Sequence, residues 1–398
     1  MSMKSKLSLL GMTAIALVMA TGAHAQEGEP IRIGAAYPLT GPAATNGLLA
    51  ALGHEMIIDK INAEGGILGR PVESFTRDSK GTPADATSAA RDLITLDNAD
   101  FIVGGFTSGE GLAISEVALQ EEVIYIAASP KTIQMSEDNF HKYMFRTAAN
   151  TNTEGGSAAI IMNDLGVKRI CTMLLDYSYG HDLLKGFKAH LEELDPEAEI
   201  VTEVWPALNV SDYTPYITEV MNSDCTGVFS GIWGGLFVPF AKQAASFGFF
   251  DQKEHFVAAG EPGSQEIIEE LGDDMPTGIW ANSYEVWYYP DTEAHNKYLE
   301  ELRQRLDNPY PPSWPITGYM AVQALAAGIE AAGNTDTDAV IDALEGLTYE
   351  SAIGPQTIRE SDHQANRGQY WGQIAESDEY NFKILDPVRY IEADDIMD

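Results

Sequence analysis

The residues best suited to hold a small anion lie in two polar turns that close adjoining apolar runs. Residues 101–132 read FIVGGFTSGEGLAISEVALQEEVIYIAASPKT. The runs at 101–103 and 123–128 are short, apolar and rich in β-branched residues, which suits buried parallel strands. Ile114, Val117 and Ala118 between them have helical spacing. Gly104 and Gly105 end the first run, and Phe106, Thr107 and Ser108 lead into the helix. Free backbone N–H groups and two hydroxyls therefore converge where the helix dipole is positive, a position that suits a carboxylate. The second run ends in Ser129, Lys131 and Thr132, adding polar groups at the carboxyl edge of the same sheet, where open α/β sheets bind ligands. Helix capping is the competing use of Ser108 and Ser129.

The flanking pattern supplies the elements that must position these groups. A strand at 31–36 ends at Tyr37, and Leu48, Leu49, Leu52, Met56, Ile57 and Ile61 mark one face of a helix that stops at Gly65 and Gly66. A strand at 71–77 and a helix at 85–96 lead back to residue 101. This regular alternation argues for a parallel sheet covered on both faces. It restarts after residue 150, with helices at 153–165, 181–194, 213–222 and 236–247 between strands at 169–175, 199–204, 227–232 and 255–259.

The loops at 176–180, 233–235 and 260–263 all follow strand ends and should face the first lobe across a cleft. That places the rings of Tyr179 and Trp233 as cleft walls, with Tyr37 and Asn46 as weaker candidates from the first loop. Trp280, Tyr284, Trp287 and Tyr288 are further candidates, most of them expected in core or hinge packing. The later helices at 293–305, 319–332 and 337–347 have no sheet of their own. The chain is thus expected to return to the first lobe near Ser283 and to the second near Gly354. The expected fold is α/β, two doubly wound parallel-sheet lobes joined by a three-crossing hinge. Residues 26–147 with about 284–353 form the first lobe, and 148–283 with about 354–398 the second.

Residues 1–25 have the form of a secretory leader: Lys4 and Lys6, then apolar 7–19, then Ala23-His24-Ala25 as a cleavage site. No cysteine lies near that site for lipid attachment, so a free periplasmic protein starting at Gln26 is expected. Acidic residues outnumber basic ones 60 to 24, which repels nucleic acid and anionic membranes. Cys171 and Cys225 stand at the amino ends of two runs expected to be neighbouring parallel strands, and in an oxidising compartment they should pair. Motifs for acyl transfer, nucleotide binding and zinc chemistry are absent, and the eight histidines are scattered. No enzyme activity, metal or cofactor is expected.

An ordered set of segments carries a family resemblance: GAAYPLTGP at 34–42, INAEGGILGRP at 61–71, VGGFTS at 103–108, YIAASPKT at 125–132, YSYG at 177–180, GEPG at 260–263 and DHQ at 362–364. Together they resemble the type I periplasmic binding proteins of ABC importers, within them the leucine/isoleucine/valine-binding family. The resemblance implies that Ser108 and Thr132 hold a ligand carboxylate, with Ser129 or Lys131 adding backbone groups. It further implies that Tyr179 closes over the ligand and that Glu261 takes its ammonium. The chain departs from the family pattern at Pro262, at Trp233 and in a shorter 129–132 loop. The implied function is hinge-closing capture of a small amino acid by a monomer that serves an ABC permease. The alternatives are an aromatic or other non-amino carboxylic acid as ligand, with Trp233 and Tyr179 around its ring, and a sensory rather than a transport role.

Overall fold

The computed structural model describes residues 28–396; the leader expected at 1–25 lies outside them. The first half alternates as expected: β1 (Ile31–Tyr37), α1 (Ala44–Ala63), β2 (Val72–Asp78), α2 (Pro83–Thr95), β3 (Phe101–Gly104), α3 (Ser108–Glu121), β4 (Tyr125–Ala127) and β5 (Met144–Arg146). These strands form one all-parallel sheet in the order β2-β1-β3-β4-β5. The inner strands β3 and β4 are wholly buried, as their unbroken apolar runs require.

The second half runs α4 (Thr151–Asp164), β6 (Arg169–Leu174), α5 (Ser178–Leu194), β7 (Glu199–Val204), α6 (Thr214–Asn222), β8 (Gly227–Gly231), α7 (Phe237–Ser246), α8 (Phe249–Gln252), β9 (His255–Ala258), α9 (Gln265–Leu271) and β10 (Trp280–Ser283). The chain continues through α10 (Glu293–Leu306), α11 (Pro315–Ala332), α12 (Thr337–Leu344), β11 (Thr348–Ser351), β12 (Gly354–Thr357), β13 (Gln369–Ala375) and β14 (Ile384–Ile391). The second sheet has the order β14-β13-β10-β9-β8-β6-β7. Its strands β6 to β10 are parallel, while β13 and β14 add an antiparallel edge.

Cys171 on β6 and Cys225 just before β8 are disulfide-bonded across these neighbouring strands, with Cα atoms 5.6 Å apart. Helix α11 packs on α1 of the first lobe at very short range. A Cβ on Gly53 would lie 1.8 Å from the Pro315 carbonyl oxygen, and one on Gly318 would lie 2.0 Å from that of Ala50. Two glycines thus let the helix returning from the second lobe seat against the first.

The last crossing falls later than Gly354. β12 pairs with β11 in a hairpin, and Gln364 still bridges Arg146 at the end of β5. The chain joins the second sheet only at Gln369. Arg146 accounts for the delay: its buried guanidinium donates to Gln364 Oε1 (2.5 Å) and to the Thr132 carbonyl (2.6 Å), holding 363–365 to the first lobe. Among the described residues no helix is long and apolar enough to cross a membrane.

Candidate functional site

Between the carboxyl edges of the two sheets lies a small cavity of about 30 Å³, lined from both lobes. The turn after β3 brings Phe106, Thr107 and Ser108, and the turn after β4 brings Ser129 and Lys131. The second lobe contributes Tyr177 and Tyr179 after β6, Trp233 after β8 and Glu261 after β9. Tyr284 enters from the crossing after β10, and Trp314 from the turn before α11.

Backbone geometry explains the first turn. Gly104 and Gly105 have φ of 118° and 75°, and a Cβ on Gly105 would sit 2.4 Å from the Tyr125 hydroxyl. Only glycine fits there. The following helix is capped by Thr107, not Ser108. The Thr107 hydroxyl accepts the Glu110 N–H (3.3 Å), and Glu110 Oε2 accepts the Thr107 N–H (2.7 Å), a capping box. Ser79 donates to the other Glu110 oxygen. The competing use raised for Ser108 is thereby taken by its neighbour. Ser108 Oγ is buried, lines the cavity and has no hydrogen-bond partner.

The second turn departs from expectation at both Lys131 and Thr132. Thr132 does not line the cavity. Its hydroxyl donates to Asp182 on α5 of the other lobe and accepts the Gln134 N–H (3.3 Å) where a short 3-10 turn begins. It therefore ties the lobes together. Lys131 uses its side chain as well as its backbone. The ammonium donates to Glu154 Oε1 on α4 (2.8 Å) and to Glu261 Oε1, and it lies 4.8 Å from the Tyr284 ring centroid. Ser129 lines the cavity and donates to Thr317 on α11 (3.2 Å).

Glu261 faces the cavity as expected, in a left-handed backbone conformation (φ 64°) held by its N–H on Asn282 Oδ1 (2.7 Å). Such strain in a non-glycine residue marks places where the surroundings fix a side chain's aim. Asn282 also donates to Glu154 Oε1 (2.8 Å), and the Gly260 N–H reaches the same oxygen (3.0 Å). Burial pushes the Glu261 carboxyl up to about 8 against the pull of Lys131, with Glu154 adding to the rise. For Lys131, burial acts to lower the pKa, but Glu154 and Glu261 outweigh it, so the group is raised and stays an ammonium. Glu154, which no sequence motif singled out, is the centre of this network. Its only local signal was an acidic side chain in the first turn of a helix whose buried face is otherwise uncharged and mostly small.

Rings form the walls. Phe106 stacks on Trp314 (4.9 Å between centroids, 28° between planes) and meets Trp233 edge-on at 5.5 Å. Tyr284 meets Trp314 edge-on at 4.8 Å. Tyr179 and Trp233 thus stand where expected, while Tyr177 and Trp314 are additions. The Trp314 indole N–H is buried without a partner, while the Tyr179 hydroxyl lies beside Glu154 and the Trp233 indole beside Tyr177. Burial, and then the nearby Glu154 and Glu261, raise the Tyr179 phenol well above its usual range, so it remains a donor. Tyr37 and Asn46 lie outside the cavity lining. Tyr37 is fully buried edge-on to His54, and Asn46 lies against Gly234 of the other lobe. Trp287 and Tyr288 pack around a separate small cavity near the hinge.

Two parallel-sheet lobes with a polar, ring-walled cavity between their carboxyl edges define a hinge-type solute-binding protein. A family model described as periplasmic binding protein matches residues 30–379, and the chain belongs to that family, as a type I member of the ABC-importer class. A Leu/Ile/Val-binding protein homolog of Brucella melitensis is 25% identical over 384 residues, covering 94% of this chain and 96% of its own. Among solved structures, a solute binding protein of an ABC transporter from Rhodopseudomonas palustris, in complex with 3,4-dihydroxybenzoic acid, matches with a TM-score of 0.80. It is 20% identical and covers 91% of this chain and 97% of its own. A leucine binding protein from Thermotoga maritima matches with a TM-score of 0.79 at 20% identity, covering 92% and 99%. The chain is accordingly a substrate-binding component for a small molecule and not an enzyme.

Proposed function

We propose that this protein is exported by its leader to the periplasm, captures a small organic carboxylate between its lobes as a monomer, and delivers it to an ABC permease in the inner membrane. The observation that carries this reading is Ser108. A hydroxyl buried at a helix amino end, facing a cavity with no partner, is an anchor for an anion. The lobes already touch through Lys131, Thr132 and Phe106, so a ligand bridging them binds the closed form selectively and shifts the population toward it.

Two ligand classes fit a carboxylate anchor. An amino acid, branched-chain or related, is supported by the kinship with Leu/Ile/Val-binding homologs and by Glu261 on the opposite wall. An aromatic or other amine-free acid is supported by the rings around the cavity and by Lys131, which already engages Glu261. A thermal-shift screen of refolded, ligand-free protein separates them, since a ligand at ~100 times its dissociation constant adds about 2.7 kcal/mol. Stabilisation by a carboxylate, with compaction of the scattering profile and an unchanged monomer mass, is the expected result. A screen in which no carboxylate stabilises the protein refutes the reading. Loss of uptake of the identified ligand on deleting the gene tests delivery to a permease against a sensory role.

A further inference from the structure

Lys131 places a protein ammonium where a ligand ammonium was expected. It reaches from the first lobe to Glu154 and Glu261 of the second, and is 4% exposed. A second buried cation completes the cluster. Arg367, 3% exposed, lies 5.6 Å from the centroid of the Tyr284 ring and donates to the Tyr284 carbonyl. Glu154 and Glu261 thus already face the Lys131 ammonium directly, and Arg367 adds to its pull on Glu261 through space.

The hydrogen-bonding inventory of the cavity is equally one-sided. Ser108 and Trp314 hold unpartnered buried groups able to donate, and the Tyr179 hydroxyl and the Trp233 indole N–H are donors that lie beside Glu154 and Tyr177. An indole N–H can only donate. Glu261 is the single carboxylate in the lining, and its Oε1 already receives Lys131 and Asn282. Glu154 Oε2 is unpartnered too, but Glu154 does not line the cavity. An α-ammonium brings three donors and needs acceptors. A carboxylate, with an ether, hydroxyl or ring beyond it, brings acceptors and apolar area to a wall of donors and rings.

We propose that Lys131 is a built-in ammonium that fills the amine subsite between Glu154 and Glu261, so that the receptor selects small carboxylic acids lacking an α-amine. The inference rests on the carboxylate-receptor reading above and narrows its ligand class. Lys131 is then a specificity-determining residue. It keeps the two carboxylates neutralised while the cleft is shut, and an amino acid enters only by displacing a tethered competitor.

Matched pairs differing only in the amine provide the test: 3-phenylpropanoate against phenylalanine, 4-methylpentanoate against leucine, and 4-hydroxyphenylacetate against 4-hydroxyphenylglycine. Calorimetric titration of the ligand-free wild-type protein should give, in every pair that binds, tighter binding of the amine-free acid by at least about tenfold, or about 1.4 kcal/mol. In Lys131→Ala and the stem-preserving Lys131→Met the preference should shrink or invert, and methylammonium should raise the melting temperature of Lys131→Ala alone. A purely structural lysine would lower stability without changing which member of a pair is preferred. Wild-type protein that binds the amino acid member as tightly overturns the inference and leaves the receptor reading standing, even if neither variant folds. An unchanged preference in folded variants overturns the role of Lys131. If no acid of any pair binds and the wider screen finds no stabilising carboxylate, both readings fall.

Discussion

Replacing Ser108 with alanine separates binding from folding. The hydroxyl has no partner in the closed cleft, and Thr107 carries the cap of α3. Its removal therefore breaks no native hydrogen bond, and alanine is favourable at the first position of a helix. Ligand-free Ser108→Ala should unfold within about 0.5 kcal/mol of wild type. Binding is another matter, because a charge-assisted hydrogen bond to a carboxylate in a desolvated site is worth about 1.5–3 kcal/mol. The dissociation constant should rise about 12- to 160-fold. Titration calorimetry with the ligand found by the screen reads the loss, and denaturant unfolding of the same ligand-free sample reads stability. Thr107→Ala is the control: it removes a capping box and should cost about 1 kcal/mol of stability. A Ser108→Ala protein of wild-type stability with an unchanged dissociation constant would falsify the carboxylate anchor.

The Cys171–Cys225 bridge spans a sequence separation of 54, for which the loop-entropy relation gives about 4 kcal/mol. Reduction should lower the urea midpoint accordingly, and an unshifted midpoint would contradict it. His54 and Glu266 should give pH slopes of opposite sign. Burial lowers His54 to about 4 from 6.5, so the stability it contributes is present above pH 6.5 and is lost as pH falls toward 4, about 3 kcal/mol in all. Burial raises Glu266 to about 7 from 4.5, so its contribution is present below pH 4.5 and is lost as pH rises toward 7. Unfolding free energies across this range should therefore lose their fall at acid pH in His54→Leu and their fall toward neutrality in Glu266→Gln; parallel curves for both variants would rule this out. Gly53→Val should cost about 3 kcal/mol by forcing α1 from α11, and a melting temperature equal to wild type would show that the helices can separate freely.

Local chemistry made much of this molecule legible in its sequence. Apolar runs of strand length alternating with helical periods required parallel sheets, and the turn at Gly104 and Gly105 required a helix start beside Ser108. The position of both cysteines at the amino ends of neighbouring strands was enough to pair them. These features depend on spacings of a few residues and on the regular order of a doubly wound sheet.

What only the tertiary structure decided are matters of competition between groups far apart in the chain. Which hydroxyl caps α3 and which faces the cleft turned on Glu110, whose second oxygen is held by Ser79, 31 residues away. Thr132, read as a ligand group, is drawn off by Asp182, 50 residues away and in the other lobe. Lys131, expected to offer its backbone, meets Glu154 and Glu261 at separations of 23 and 130 residues because the lobes close on it. A buried ammonium must find carboxylates, and sequence spacing does not say which ones arrive. Trp314 and the late crossing at residues 365–369 were hidden for the same reason, one placed by the return of α11 onto α1 and the other by the reach of Arg146. Periodicity specifies what each segment becomes. The partners of its polar groups are specified only once the segments have packed.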